Sequence, residues 1–376
     1  MKTTPLDLAL PLRPSRRMRT FLTLLLALLL PAGAHAQTAD PIQAALDSHA
    51  LEAATEDAPG VSIALLTADG QLRTAAHGAA LSPDARFLSG STGKTAAALL
   101  ALQLVEEGRL DLDAPIADRF ADRDWMDRLD PERTLTLRRL LNHSAGVPDY
   151  LTDIDFFIAG LFRPNRRFTP EQLLRFVSFD GLNGEAYAYS DTHYILVGLL
   201  IEQATGQGYY QLLQEGVLGP AGMTETSPLI GRTHERLVEG HGRGGDPTSR
   251  GGRLDRRPDH EWAAGGLVTT PADLARLYAA LGRGVFSLEA AAMRAGINRF
   301  EPGGPAGYGF GVFVREYEDG GWRISHGGDF GGYRSAVLYD SRTGAALAIQ
   351  ANARAFEAPG SLFALFAEIE PLLAAD

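Results

Sequence analysis

Segments that favour β-strands stand at the two ends of this chain, and a long helical stretch separates them. Residues 61–67 and 72–78 have the pattern of two strands joined at Ala68-Asp69-Gly70, a turn typical of β-hairpins. Strand patterns return late in the chain, at 308–315, 322–325, 333–340 and 345–350. This order predicts one antiparallel sheet built from both ends of the chain.

Helical patterns fill most of the remaining sequence. Helices are predicted over 41–54, 91–107, 271–281, 288–295 and 357–373, and residues 134–220 are mostly helical. Residues 240–257 are rich in Gly, Arg and Asp and predict a loop. The expected fold class is α/β (α+β), an antiparallel sheet flanked by helices. The sheet lobe takes residues 40–90 and 300–376, and an inserted, mostly helical lobe takes 91–299. A cleft between two such lobes is a common ligand site.

The first 36 residues differ from the rest. Arg16, Arg17 and Arg19 precede an apolar run from Phe21 to Leu30, and Ala34-His35-Ala36 ends the segment with small residues. This arrangement predicts a signal peptide at 1–36, cleaved after Ala36, which leaves a domain at 37–376. A membrane anchor is the alternative, but the run is shorter than the ~20 residues that a spanning helix needs. The mature protein is therefore expected in the periplasm or outside the cell.

The composition excludes several classes of partner and chemistry. The chain has 46 acidic and 35 basic residues and a net charge of −11, so we expect neither nucleic acid nor a membrane, after signal cleavage, as a partner. It has no cysteine, which excludes disulfides, thiolate catalysis and Cys-ligated zinc. The sequence contains no H-E-x-x-H and its nine histidines are scattered. We expect no metal and no cofactor.

Beyond the leader, Lys94 is the only lysine, although arginines are abundant. A mutational bias toward arginine codons explains the many arginines, but it does not explain why Lys94 is still a lysine. A desolvated lysine can lose its proton near neutral pH, whereas an arginine cannot. A position that keeps lysine therefore indicates a need for an amine.

Lys94 follows Ser91 by three residues at the start of a predicted helix. Residues at i and i+3 share one helical face, so the amine can reach the hydroxyl, and the helix start offers free N–H groups. A hydroxyl, an adjacent base and N–H donors are the parts of an activated nucleophile. Ser91 as a simple helix cap is one alternative. A phosphate-binding loop at 90–95 is another, but Leu88 stands where that motif needs glycine.

Several motifs in order resemble one family: class C serine β-lactamases, D-Ala-D-Ala carboxypeptidases and related esterases. Ser91-Thr92-Gly93-Lys94 matches the family's S-x-x-K motif, and Tyr189-Ser190-Asp191 falls where its Y-x-N motif belongs. His326-Gly327-Gly328 stands where K-T-G or H-x-G begins a strand. Two further stretches, 140–150 and 265–274, resemble its "LLxHTSGLPDY" and "GGLxSTxxDL" segments.

The resemblance implies a role for each matched position. Ser91 would attack a carbonyl and become acylated, Lys94 would take or relay its proton, and Tyr189 would move protons to the leaving group and from water. The backbone N–H groups of Ser91 and Asp329 would form the oxyanion hole. His326 would sit beside the substrate, with Gly328 on the same strand. The substrate would be a small ester, a D-amino-acid peptide or a β-lactam.

Three residues depart from the family pattern. Asp191 replaces an asparagine, which brings a negative charge into the site and disfavours a substrate carboxylate unless Asp191 pairs with Lys94. His326 in place of lysine gives less fixed positive charge, and Gly93 loosens the first helical turn. These changes favour an esterase or peptidase over a β-lactamase. They also leave a second hypothesis open, a catalytically idle relative that binds cell-wall peptide or a protein.

Overall fold

An eight-stranded antiparallel sheet joins the two ends of the chain. The structure is a computed structural model, and it describes residues 40–55, 60–78, 82, 84–130, 132–177, 186–242 and 244–373. The strand order is β2-β1-β13-β12-β11-β10-β9-β8, so the N-terminal hairpin pairs directly with the last strand. The strands of this sheet are β1 (Gly60–Leu66), β2 (Leu72–Gly78), β8 (Asn298–Arg299), β9 (Ala306–Tyr308), β10 (Phe313–Glu316), β11 (Trp322–Phe330), β12 (Tyr333–Asp340) and β13 (Ala345–Ala351). The predicted fold class is confirmed.

Two smaller sheets accompany it. One has the order β3-β7-β4 and the other pairs β5 with β6. Their strands are β3 (Phe87–Leu88), β4 (Ser227–Pro228), β5 (Ser249–Arg250), β6 (Arg253–Leu254) and β7 (Leu267–Thr269). The pair β5–β6 lies inside the segment 240–257, for which the composition predicted only a loop.

Helices cover both faces of the large sheet. They are α1 (Pro41–Ala53), α2 (Lys94–Glu106), α3 (Asp124–Leu129), α4 (Leu137–Leu141), α5 (Ile154–Phe162), α6 (Pro170–Leu173), α7 (Asp191–Thr205), α8 (Tyr209–Leu213), α9 (Pro271–Gly282), α10 (Ser287–Ala295) and α11 (Ala358–Leu373). The terminal helices α1 and α11 pack on one face and α9 packs on the other. None of the helices in the described part of the chain has the length and apolar character to cross a membrane.

Strand β1, which lies between β2 and β13, shows why the sheet needs cover on both faces. Ile63 and Leu65 belong to the core shared with the terminal helices, whereas Ala64 between them belongs to the core shared with α9. Successive side chains of a strand point to opposite faces, so an unbroken apolar strand must be buried on both. Burying apolar surface at about 25 cal/mol per Å² is the main force that holds these layers together.

The structure differs from the predictions where glycines interrupt a pattern. Residues 308–315 form the end of β9, a turn and the start of β10 rather than one strand, because the chain reverses there. In that turn Gly309 N donates to Val312 O at 2.8 Å, and Gly311 has a φ of +74°. The helix predicted from Ser91 begins as a 3₁₀ turn, Gly90–Gly93, before α2. The predicted leader lies outside the described residues, and the division into two lobes remains a prediction.

Candidate active site

Ser91 and Lys94 meet at the start of α2. The 3₁₀ turn places the two side chains on one face, and Lys94 Nζ donates to Ser91 Oγ at 3.0 Å. The Lys94 side chain is fully buried, whereas Ser91 is half-buried. The turn therefore presents a hydroxyl at the edge of a buried amine, as the spacing of the two residues predicted.

Two further oxygen atoms hold the amine of Lys94. Asp191 Oδ1, from the first residue of α7, lies 2.5 Å from Nζ, and the carbonyl of Ala264 accepts a hydrogen bond from Nζ at 2.6 Å. Burial alone would lower the pKa of Lys94, but the Asp191 carboxylate outweighs it and the net effect raises this pKa. In this state Lys94 is an ammonium ion, as the pairing considered from the sequence implies.

Tyr189 lies directly beside this ion pair. Lys94 Nζ is 5.1 Å from the centre of its ring. Its buried hydroxyl has no hydrogen-bond partner of good geometry among the described residues. Burial raises the pKa of Tyr189 to about 12, although Lys94 and Ser91 lie near enough to oppose the rise. The phenol is therefore neutral, and its hydroxyl lies close to Ser91 and Lys94 without a well-formed hydrogen bond to a described residue.

The last half of β11 forms another wall of the site, against the turn that carries Ser91. Residues 322–325 pair with β10, but 326–330 pair only with β12 among the described residues, which leaves one edge of the strand open. The turn at Gly90–Gly93 lies against this edge. A Cβ on Gly328 would come within 2.1 Å of Ser89 O, and one on Gly90 would come within 2.9 Å of Asp329 N. Only glycines allow the nucleophile turn and the strand to approach so closely.

Asp329 and His326 on this strand have their side chains engaged within the protein. Asp329 forms ion pairs with Arg334 and Arg354, at 3.4 and 3.2 Å. His326 Nδ1 donates to Gly327 O at 2.7 Å, because a carbonyl can only accept, and Nε2 then accepts from Tyr308. Burial lowers the pKa of His326 to about 3, so the ring is neutral. It offers no positive charge to a substrate carboxylate, and its contact with substrate remains a prediction.

A pair of histidines lies beneath Tyr189. Val147 N donates to His193 Nε2, so His193 Nδ1 carries the proton and donates to His143 Nδ1 at 2.8 Å. The His143 ring lies 4.2 Å from that of Tyr189, and its Nε2 has no partner among the described residues. Burial lowers the pKa of His143 and that of His193, the latter to about 3. The neutral His143 ring, held by His193, packs against Tyr189, a support that the motifs alone did not reveal.

Two carboxyl groups near Lys94 also escaped the sequence analysis. Asp149 Oδ2 accepts a hydrogen bond from Asp191 N at 3.2 Å, and burial together with Asp191 raises the pKa of Asp149 to about 6. Glu261 is only 3% exposed, and burial, followed by Asp191, raises its pKa well above the usual range. Asp149 lies within a matched motif that could have indicated it. Glu261 precedes the 265–274 motif and carries no local signal.

A cavity of about 670 Å³ opens beside this group. Asp191, Glu261 and Asp329 line it together with aromatic and aliphatic side chains from α5, from residues 247–261 and from β11. Among the described residues no three His, Asp or Glu side chains are grouped to hold a metal ion. The site therefore consists of a hydroxyl, an ion pair, a phenol, an open strand edge and a partly apolar cavity.

Comparison with known proteins gives a consistent assignment. The family model described as Beta-lactamase matches residues 45–363. Penicillin-binding protein 4* of Bacillus subtilis (strain 168) is 30% identical over 151 residues, a match that covers 39% of this chain and 31% of that relative. The match thus spans about a third of the length of the curated relative.

Solved structures match over more of their length. A D-stereospecific amidohydrolase from Streptomyces sp. superposes with a TM-score of 0.71 at 25% identity, over 86% of this chain and 96% of that one. D-amino acid amidase from Ochrobactrum anthropi SV3 superposes with a TM-score of 0.68 at 26% identity, over 89% of this chain and 100% of that one.

Proposed function

This chain belongs to the Beta-lactamase family, and we propose that it is an exported serine hydrolase that cleaves esters or amides of D-amino acids, including D-amino-acid peptides, through an acyl-enzyme on Ser91. The observation that carries the proposal is the 3.0 Å hydrogen bond from the buried Lys94 Nζ to Ser91 Oγ. The amidohydrolase and the D-amino acid amidase among its structural neighbours support the D-amino-acid substrate class. β-Lactams are expected to be weaker substrates.

The base in this mechanism is the Lys94–Asp191 pair rather than Lys94 alone. A lysine held as an ammonium ion has no lone pair for the Ser91 proton. In the proposed step Lys94 gives one proton to Asp191, across 2.5 Å, as it takes the hydroxyl proton of Ser91. The negative charge of Asp191 is lost, Lys94 stays an ammonium ion, and the Ser91 oxygen forms its bond to the carbonyl carbon.

The developing oxyanion lies between the nucleophile turn and the open edge of β11. The N–H groups of Ser91 and Asp329 are its proposed donors, and the close approach of Gly90 to Asp329 N supports that position. Collapse of the tetrahedral intermediate breaks the bond to the alcohol or amine, which takes its proton from Tyr189. Tyr189 is reprotonated through Lys94 from Asp191, and water repeats the sequence to release the acid.

Tyr189 suits this role because its hydroxyl is buried and unbonded among the described residues. A buried donor without a hydrogen bond destabilises a protein by roughly 1–3 kcal/mol, and a hydrogen bond to the oxygen or nitrogen of the leaving group can restore that free energy. Its neutral state at ordinary pH means that it can donate a proton as the leaving group departs.

The experiment is hydrolysis of the amides and methyl esters of D- and L-phenylalanine. We expect the D-substrates to be cleaved and Ser91→Ala to lose about 10³-fold or more in kcat. Ser48→Ala, a change at an exposed serine of α1, is the matched control and should keep full activity. Full activity in Ser91→Ala would refute the assignment, and preference for the L-substrates would refute the stereochemistry.

A catalytically idle binding relative remains the second candidate, and the tight Lys94–Asp191 pair is the observation that favours it. Such a protein would bind cell-wall peptide without acylation at Ser91. For the export step we expect the mature protein to begin at Gln37, which N-terminal mass analysis of secreted or periplasmic material tests.

A further inference from the structure

One buried carboxyl group in the cavity, that of Glu261, forms no ion pair with any described residue. Glu261 is 3% exposed, its side chain lines the cavity, and it has no hydrogen bond or ion pair to its carboxylate among the described residues. A buried carboxylate without a partner is strongly disfavoured, so such groups either keep a proton or await a cation.

The neighbouring charges leave room for one more cation. Lys94 and Asp191 neutralise each other across 2.5 Å, and Asp329 is held by Arg334 and Arg354. Glu261 and Asp149 then form no ion pair of their own among the described residues; burial and then Asp191 raise the pKa of each, and the more distant charge of Lys94 only opposes that rise. A second ammonium ion beside Lys94 would restore one positive charge for each of Asp191 and Glu261.

The walls and the rim of the cavity differ in character. Apolar side chains of its walls include Leu88, Leu151, Phe156, Phe157, Phe168 and Phe330. Arg163, Arg166 and Arg256 stand at its exposed rim, far more open to water than Glu261. Burial lowers the pKa of His260 to about 4, so this cavity histidine supplies no cation. The carboxyl groups thus govern the buried end of the cavity.

We propose that Glu261, together with Asp191, binds the protonated amine of the substrate, so that the preferred acyl donor is an amino acid derivative with a free amine and a large apolar side chain. The apolar walls take the side chain, and the scissile carbonyl lies toward Ser91. The inference rests on the proposed function for the reaction, but the binding itself does not require turnover. N-acylated substrates and ligands with a carboxylate at this position are disfavoured.

The test measures binding to Ser91→Ala, which separates recognition from chemistry. Isothermal titration at about pH 6.5, below the α-amino pKa of about 7.7, compares D-phenylalanine amide with N-acetyl-D-phenylalanine amide. An ammonium–carboxylate hydrogen bond predicts a Kd about ten- to a hundredfold lower for the free amine. Adding Glu261→Gln should remove most of that preference. Asp255→Asn, which removes an exposed carboxylate from the rim of the same cavity, is the matched control and should keep it.

Each outcome separates this inference from the proposed function. Equal affinity for the two ligands, tighter binding of the neutral one, or a preference that survives Glu261→Gln in a protein with unchanged circular dichroism would overturn the ammonium site. If the wild-type protein also hydrolyses the methyl esters of D-phenylalanine and N-acetyl-D-phenylalanine equally well, the hydrolase assignment stands and only the ammonium site fails. If it hydrolyses neither while the free amine still binds tenfold better, the ammonium site stands and the hydrolase assignment fails.

Discussion

Replacing Asp191 by asparagine tests the buried ion pair between Lys94 and Asp191. The Lys94 amine is fully buried and its counter-charge lies at 2.5 Å, so the pair attracts by about 7 kcal/mol at an effective dielectric constant of about 20. Desolvation of both groups offsets part of that attraction. Removing one partner of a buried pair typically costs about 3–5 kcal/mol, because the other charge is left alone.

The direction in which stability changes with pH follows from the pKa of Lys94, which remains in the variant. In the wild type the raised pKa of Lys94 contributes stability that is present below the unfolded pKa of about 10.4 and is lost above the folded one. In Asp191→Asn burial dominates, so we expect the pKa of Lys94 to fall below its unfolded value. The stability of the variant then rises with pH up to about 10.4, and its deficit against the wild type shrinks.

The assay is urea unfolding of Asp191→Asn and wild type at pH 7 and pH 9.5, followed by the fluorescence of the three tryptophans. We expect the variant to be about 3–5 kcal/mol less stable at pH 7 and closer to wild type at pH 9.5. Asp329→Asn, which removes a carboxylate from the same cavity, should not show this convergence. A loss below about 1 kcal/mol at pH 7, or a deficit that grows with pH, would refute the reasoning.

Three other changes test separate parts of the site. Lys94→Arg keeps the charge but cannot pass a proton, so we expect kcat to fall at least about 10³-fold while thermal melting shows a folded protein; near-normal turnover would contradict the relay. Gly328→Ala forces a Cβ to within 2.1 Å of Ser89 O, so we expect a loss of activity and a lower melting temperature. Unchanged kinetics would show that the nucleophile turn and β11 can separate freely. Burial lowers the pKa values of His193 and His326 to about 3, so each contributes stability that is present above pH 6.5 and lost below it. The free energy of unfolding should therefore fall between pH 7 and pH 5 by up to about 2 kcal/mol per histidine. A constant free energy of unfolding in urea titrations would count against this.

The sheet was largely predictable because its strands carry strong local patterns. The hairpin 61–78 and the strands at 333–340 and 345–350 appear within a residue of their predicted bounds. The pairing of β1 with β13 was predictable because the strands from the two ends of the chain must share one core. The turn at 309–312 was missed because a reversal built on Gly309 and Gly311 leaves the apolar pattern of its flanks intact.

The candidate site was predictable only where chemistry leaves a sequence signal. Lys94 stood out as the one lysine beyond the predicted leader, and its spacing from Ser91 sufficed to predict their contact, which the structure has at 3.0 Å. Glu261 has no such signal, since one glutamate among many becomes distinctive only when burial removes its partners. The neutral state of His326 likewise depends on burial and on Tyr308, which no motif encodes.

The measurement that tests the central claim most directly is the intact mass of the purified protein after treatment with a fluorophosphonate probe. An activated serine predicts one adduct on the wild type and none on Ser91→Ala, with Ser48→Ala labelled like the wild type. A single adduct of that pattern would establish Ser91 as the nucleophile. No adduct on folded wild-type protein, or one that persists in Ser91→Ala, would contradict the account.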